Sequence, residues 1–104
     1  MNDFDIYQDS ARKTAKVASL EYMVLGLANE AGEVAGAMKK YIREDYGFSE
    51  LRHRMVGELG DVLWYLSMVA ERLGIPFSEI AAQNLDKLAK RDAAGKIKGD
   101  GDER

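Results

Sequence analysis

Apolar residues recur along the chain at intervals of three and four, the period of an amphipathic helix. Leu20, Met23, Leu27, Ala31, Val34, Met38 and Tyr41 form one stripe, and Met55, Leu59, Val62, Leu66, Val69 and Leu73 form another. Phe4, Tyr7 and Ala11 precede them with the same period, and Phe77, Ala81, Leu85 and Leu88 follow. β-Branched residues are scattered and never alternate over a strand length, so no sheet is expected. The pattern predicts four helices. The first runs from Asp3 or Phe4 to Val17 with Asp3 or Asp5 as cap, and the second from about Ser19 to Glu44. The third follows a turn, with Ser49 as its N-cap, and ends near Leu73; Ser78 caps the fourth, which ends near Arg91. Gly74-Ile75-Pro76 breaks the chain between them, Gly74 suiting the left-handed position after a helix. The expected fold class is all-α, an antiparallel four-helix bundle-like domain over residues 1–94 with a Gly- and charge-rich tail over 95–104.

Within the two long stripes one phrase occurs twice: Glu30-Ala31-Gly32-Glu33-Val34 and Glu58-Leu59-Gly60-Asp61-Val62. An i, i+3 spacing sets both acids of a phrase on one side of a helix, one turn apart. At roughly 100° per residue, each acidic pair falls roughly 60–120° from the centre of its stripe, on the same-handed shoulder. A single Glu-x-x-Glu usually belongs to a solvated face. Two matched pairs instead line the seam where one helix meets another. Carboxylates gathered there repel unless a cation sits among them, and a hard divalent cation bound by oxygen is the natural occupant.

Gly32 and Gly60 point nearly opposite the stripes. A helical glycine costs about 1 kcal/mol relative to alanine, so two at equivalent places predict a close backbone neighbour. In so short a chain that neighbour is a second subunit. Trp64 also points away from its stripe and reads as an interface residue.

The chain has 104 residues and 46% hydrophobic content, enough for one core. Its net charge of -3 argues against a nucleic-acid partner. Without cysteine it has no disulfide, thiol nucleophile, thiolate zinc site or iron–sulfur cluster. The acidic start Met1-Asn2-Asp3-Phe4-Asp5 is unlike a signal peptide, and no apolar run approaches the roughly 20 residues of a membrane span. A soluble cytoplasmic protein without a membrane partner is expected.

Three segments together resemble the MazG-like nucleoside triphosphate pyrophosphohydrolases. They are Leu27-Ala28-Asn29-Glu30-Ala31-Gly32-Glu33-Val34, Glu58-Leu59-Gly60-Asp61-Val62 and Asn84-Leu85-Asp86-Lys87-Leu88-Ala89-Lys90-Arg91. The tail from Gly95 to Arg104 resembles the ending of short, stand-alone and phage-type members. The resemblance implies an all-α fold and Mg²⁺ dependence, with Mn²⁺ as a substitute. It further implies cleavage between the α and β phosphates to give a nucleoside monophosphate and pyrophosphate. It sets the metal ligands on Glu30, Glu33, Glu58 and Asp61, and a substrate-contacting tyrosine at Tyr65. Asn29 departs from the paired glutamates of many members, which touches only a secondary contact. A homo-oligomer is expected, a dimer at least and a tetramer of two dimers for a chain this short.

Water is the expected nucleophile, since one histidine and no cysteine cannot assemble a nucleophilic triad. One of the four acids can serve as general base on it, Glu33 lying farthest out on its shoulder. His53 precedes Glu58 by five residues, which fails the Glu-x-x-His pattern of di-iron proteins, and it reads as surface. A triphosphate also needs fixed positive charge. Lys40 shares a shoulder with Glu33, and Asn84, Lys87 and Arg91 follow i, i+3, i+7 on the fourth helix. Asn84 and Arg91 fall on that helix's apolar side, where polar groups need partners. Lys98 lies in the tail, which is either a disordered end or a glycine-hinged lid over the phosphates. Two other readings remain at this point: a non-catalytic adaptor using the acidic seam, and a regulator that binds an alarmone without turnover.

Overall fold

The computed structural model describes residues 2–16 and 19–102. Its elements are α1 (Asp3–Arg12), α2 (Leu20–Ile42), α3 (Phe48–Arg72) and α4 (Phe77–Ala93), with no strand among the described residues. No helix among the described residues is long and apolar enough to cross a membrane.

α2 and α3 form a long antiparallel hairpin. Its register is marked by Met23 packed in one core with Met68, by Gly26 beneath the ring of Tyr65, and by Glu30 beside Asp61. The in-chain seam follows Met23, Leu27, Glu30, Val34, Ala37 and Tyr41 on α2, and Leu51, Met55, Glu58, Val62, Tyr65 and Val69 on α3, all buried or half-buried. Both runs alternate fours and threes, the geometry of left-handed helix pairing. Glu30 and Glu58 thus sit inside this seam, while Glu33 and Asp61 stay exposed on its shoulder. The other half of the apolar stripes faces outward: Leu59 is 54% exposed, Met38, Leu66 and Leu73 are also exposed, and so is Leu25 outside the stripe.

α1 and α4 cover one end of the hairpin. α1 packs on α3 and α4, and α4 on α1 and α3, while α4 does not touch α2 among the described residues. The arrangement is a hairpin with two further helices at one end, and the buried cluster draws on α1, α2 and α3 but not on α4. The radius of gyration is 16.4 Å, against about 13 Å for a compact chain of this length. The compact core is correspondingly small, with Ala11, Met23 and Met68 buried and Tyr7, Trp64, Tyr65 and Val69 packed against them.

The helix ends differ from the expected ones for identifiable reasons. α1 stops at Arg12, and its expected end, Val17, lies outside the described residues. Thr14 bonds the Ala11 carbonyl at 2.7 Å and accepts from Trp64 Nε1 at 2.8 Å, which holds the chain in a turn. Trp64 is therefore half-buried against α1 and the core within one chain, rather than the exposed aromatic that its place away from the stripe suggested. Asn2, not Asp3 or Asp5, caps α1, and α2 starts near Ser19 as expected, with Ser19 as its N-cap.

α2 ends at Ile42, with Glu44 in the left-handed region at φ 67°. α3 starts at Phe48 with Gly47 as N-cap, two residues ahead of the expected Ser49 cap, as Phe48 packs edge-on against Tyr41. Gly74 occupies the left-handed position after α3 at φ 70°, as expected. α4 starts at Phe77, so Ser78 is not its cap. Asp5 of α1 takes that role across the fold, accepting from the Ser78 amide at 3.0 Å and the Ser78 hydroxyl at 2.7 Å. Buried Gln8 completes the clasp. It donates to the Ile75 carbonyl at 3.0 Å and accepts from the Phe77 amide at 2.9 Å.

Candidate active site

Glu30, Glu58 and Asp61 converge midway along the hairpin. One carboxylate oxygen from each lies within 4.8 Å of the others. Glu30 and Glu58 are half-buried and Asp61 is exposed. Among the described residues, no lysine or arginine forms an ion pair with any of them. The cost shows at Glu30, whose carboxyl is pushed above the usual glutamate range by burial, then by the charges of Asp61, Glu58 and Glu33. A convergent set of acidic oxygens without a counter-charge fits a hard divalent cation. Glu33 lies outside this group and is exposed, yet near enough for its charge to act on Glu30.

The acids are held by the packing beneath them. The Tyr65 ring closes on Gly26, and any side chain at Gly26 would run into it. The same ring meets Trp64 edge-on, with centroids 5.0 Å apart. Burial raises the Tyr65 hydroxyl, as do its hydrogen bond with Tyr22 and the charges of Glu30 and Asp61. Tyr7 is raised as well, by burial and then by Asp61, which places α1 beside the acids. Neither Gly26 nor Tyr7 stands out by sequence. Gly26 carries only a faint signal, one turn before Glu30, and Tyr7 reads as an ordinary apolar-face residue.

The candidate cations lie elsewhere. Asn84, Lys87 and Arg91 line a groove of 870 Å³ with Lys90, Lys96 and Asp102, and no residue of α2 or α3 borders it. Arg91 is buried as its apolar-side position predicts, but Asn84, Leu85 and Leu88 are exposed. Lys40 is exposed, ten residues beyond Glu30 and so about 15 Å further along α2. Lys98 is exposed and does not line the groove. His53 is on the surface. Within one chain, the acids and the α4 cations are separate.

Residues 18–95 match the family described as the MazG nucleotide pyrophosphohydrolase domain. The chain belongs to the MazG family. The matched segment contains both acidic phrases and all of α2, α3 and α4. The Gene 37 protein of Mycobacterium phage L5 is 39% identical to this MazG chain, across 96% of this chain and 97% of the relative. No solved structure matches it.

Proposed function

We propose that this MazG protein is a Mg²⁺-dependent nucleoside triphosphate pyrophosphohydrolase that clears unwanted nucleotides in the cytoplasm. The reaction is triphosphate plus water to monophosphate plus pyrophosphate. The observation that carries the reading is the convergence of Glu30, Glu58 and Asp61 without a counter-cation. A divalent cation there supplies charge neutralisation on the polyphosphate and a more acidic water. Glu30, Glu58 and Asp61 would hold it, while Glu33, one turn beyond Glu30, would complete the set or take the proton from the attacking water. The hydroxyl of Tyr65, fixed over Gly26, orients a phosphate or the base beside the acids.

The groove of α4 supplies the fixed positive charge that a triphosphate requires, through Asn84, Lys87 and Arg91, with Lys40 and Lys98 as outer contacts. One chain does not join groove to seam, so the active form is a homo-oligomer, a dimer at least and a tetramer of two dimers by preference. The outward half-stripe of Met38, Leu59 and Leu66, with exposed Leu25, supports that assembly, since this apolar surface would otherwise face water. Gly32 and Gly60 have open space around them within the chain, which leaves room for a partner backbone.

Product separation tests the reaction. Ribo- and deoxynucleoside triphosphates are incubated with the protein, with and without Mg²⁺. Monophosphate and pyrophosphate, formed only with the metal, are expected. Diphosphate and phosphate would overturn the cleavage position. Sedimentation showing only monomer at micromolar concentration would remove the assembly.

A further inference from the structure

Past α4 the chain turns back on itself. Gly95 takes the left-handed conformation at φ 68°, and the Lys96 amide closes onto the Arg91 carbonyl at 2.7 Å. The tail then returns to α4, where Gly101, left-handed at φ 78°, precedes Asp102. The Asp102 carboxylate accepts from Lys87 Nζ at 2.9 Å and from Arg91 Nη2 at 3.1 Å, and its backbone carbonyl accepts from the same Nη2 at 2.9 Å.

The receiving side is a built site. Arg91 is only 6% exposed, and its Nε is buried without a hydrogen-bond partner among the described residues. A guanidinium fork presents parallel donors that match the spaced oxygens of a phosphate or carboxylate. Here one branch of the fork is filled and Nε is left over. The occupant is loosely held, since the Asp102 side chain is 78% exposed. Its carboxyl sits below the usual aspartate range, chiefly through its bonds to Lys87 and Arg91.

We infer that Asp102 stands in for a phosphate group, so that the tail occupies the Lys87–Arg91 anion site and a polyphosphate must displace it. This rests on the phosphate-binding reading of the α4 groove. A phosphate at the same donors would meet the Asp102 carboxylate at contact distance, and like charges there repel. A polyphosphate carries more charge than one carboxylate and can engage Lys87 and Arg91 together. The left-handed glycines at both ends of the strap allow it to swing away without bending α4. The tail is thus an internal competitor, and the groove opens when a polyphosphate is present in excess.

Inorganic pyrophosphate is the probe, titrated calorimetrically into the full-length protein at fixed ionic strength. Asp102→Asn is expected to bind about twofold to fivefold tighter, the gain on removing a competitor held by an exposed ion pair. Lys87→Ala is expected to bind more weakly. In the unaltered protein, amide signals of residues 99–102 should move on adding pyrophosphate towards their positions in Asp102→Asn. Equal or weaker binding by Asp102→Asn, with Lys87→Ala still weakened, overturns the competitor and leaves the phosphate site standing. Pyrophosphate binding that neither substitution changes, or no binding by any form, removes both. Asp102 lies in the exposed tail, and an unchanged helix signal confirms that each variant is folded.

Discussion

The α2–α3 seam and the α4 groove carry opposite charges and handle them in opposite ways. In the seam, Glu30, Glu58 and Asp61 crowd together with no cation of their own, and Glu30 resists ionising. In the groove, Lys87 and Arg91 already have a counter-charge in Asp102, and that aspartate is correspondingly eased into its ionised form. An unbalanced cluster is held in place by the packing around it and keeps its charge uncompensated within the chain. A balanced one can rest without a ligand but must exchange its occupant to bind another. The two regions are therefore expected to respond differently to every change below.

The largest effect belongs to the seam. Glu30→Gln, Glu58→Gln and Asp61→Asn should each lower turnover about a thousandfold, the several kcal/mol that a misplaced metal forfeits. Each should also abolish the rise in melting temperature on adding Mg²⁺. A variant with near-normal turnover would strike that acid from the site. Glu30 adds a signed prediction. Its folded pKa is raised, so ionising it opposes folding. The metal-free protein should lose stability as pH climbs from about 4.3, the ordinary glutamate value, through the raised one. Glu30→Gln should remove that decline in thermal scans and leave the metal-free fold more stable at neutral pH.

Next comes the packing beneath the acids. Gly26→Val drives a side chain into the Tyr65 ring and should cost about 1–3 kcal/mol in urea unfolding. It should also disturb the seam while leaving pyrophosphate binding in the groove intact. Adding Tyr65→Ala should recover stability, because the clash is gone. Stability that stays low in the double variant would mean that Gly26 matters for another reason.

The complementary change loosens the groove end. Gln8→Leu strands the Phe77 amide and the Ile75 carbonyl, and should cost about 1–3 kcal/mol in the same assay. The smallest effect is at Asp5, whose carboxyl is lowered chiefly by its bonds to Ser78. Its contribution is complete above about pH 3.9 and is lost as pH falls through the lower folded value. Asp5→Asn should therefore flatten the extreme acid limb of the stability curve. An unchanged limb would show that the cross-cap holds without charge.

Much of this was legible in residue order. Helical period depends on neighbours three and four apart, so α2 and α3 could be read from their stripes. The paired acids followed from the same spacing. The helix ends were less legible, because their partners are remote: Ser78 looks like a cap until Asp5 arrives from the opposite end of the chain. Trp64 looked stranded until Thr14 supplied an acceptor for its indole.

By itself, then, the sequence determined the helices, the absence of cysteine chemistry and the two acidic phrases, since each is a local property of spacing or composition. Tertiary structure alone decided which half of each broad stripe packs within the chain. Leu59 and Glu58 are adjacent, and only the hairpin's register turns Glu58 inward and leaves Leu59 out. It also decided that the α4 cations lie apart from the acids and meet Asp102 instead. Both outcomes depend on contacts between residues far apart in the chain, which periodicity does not encode.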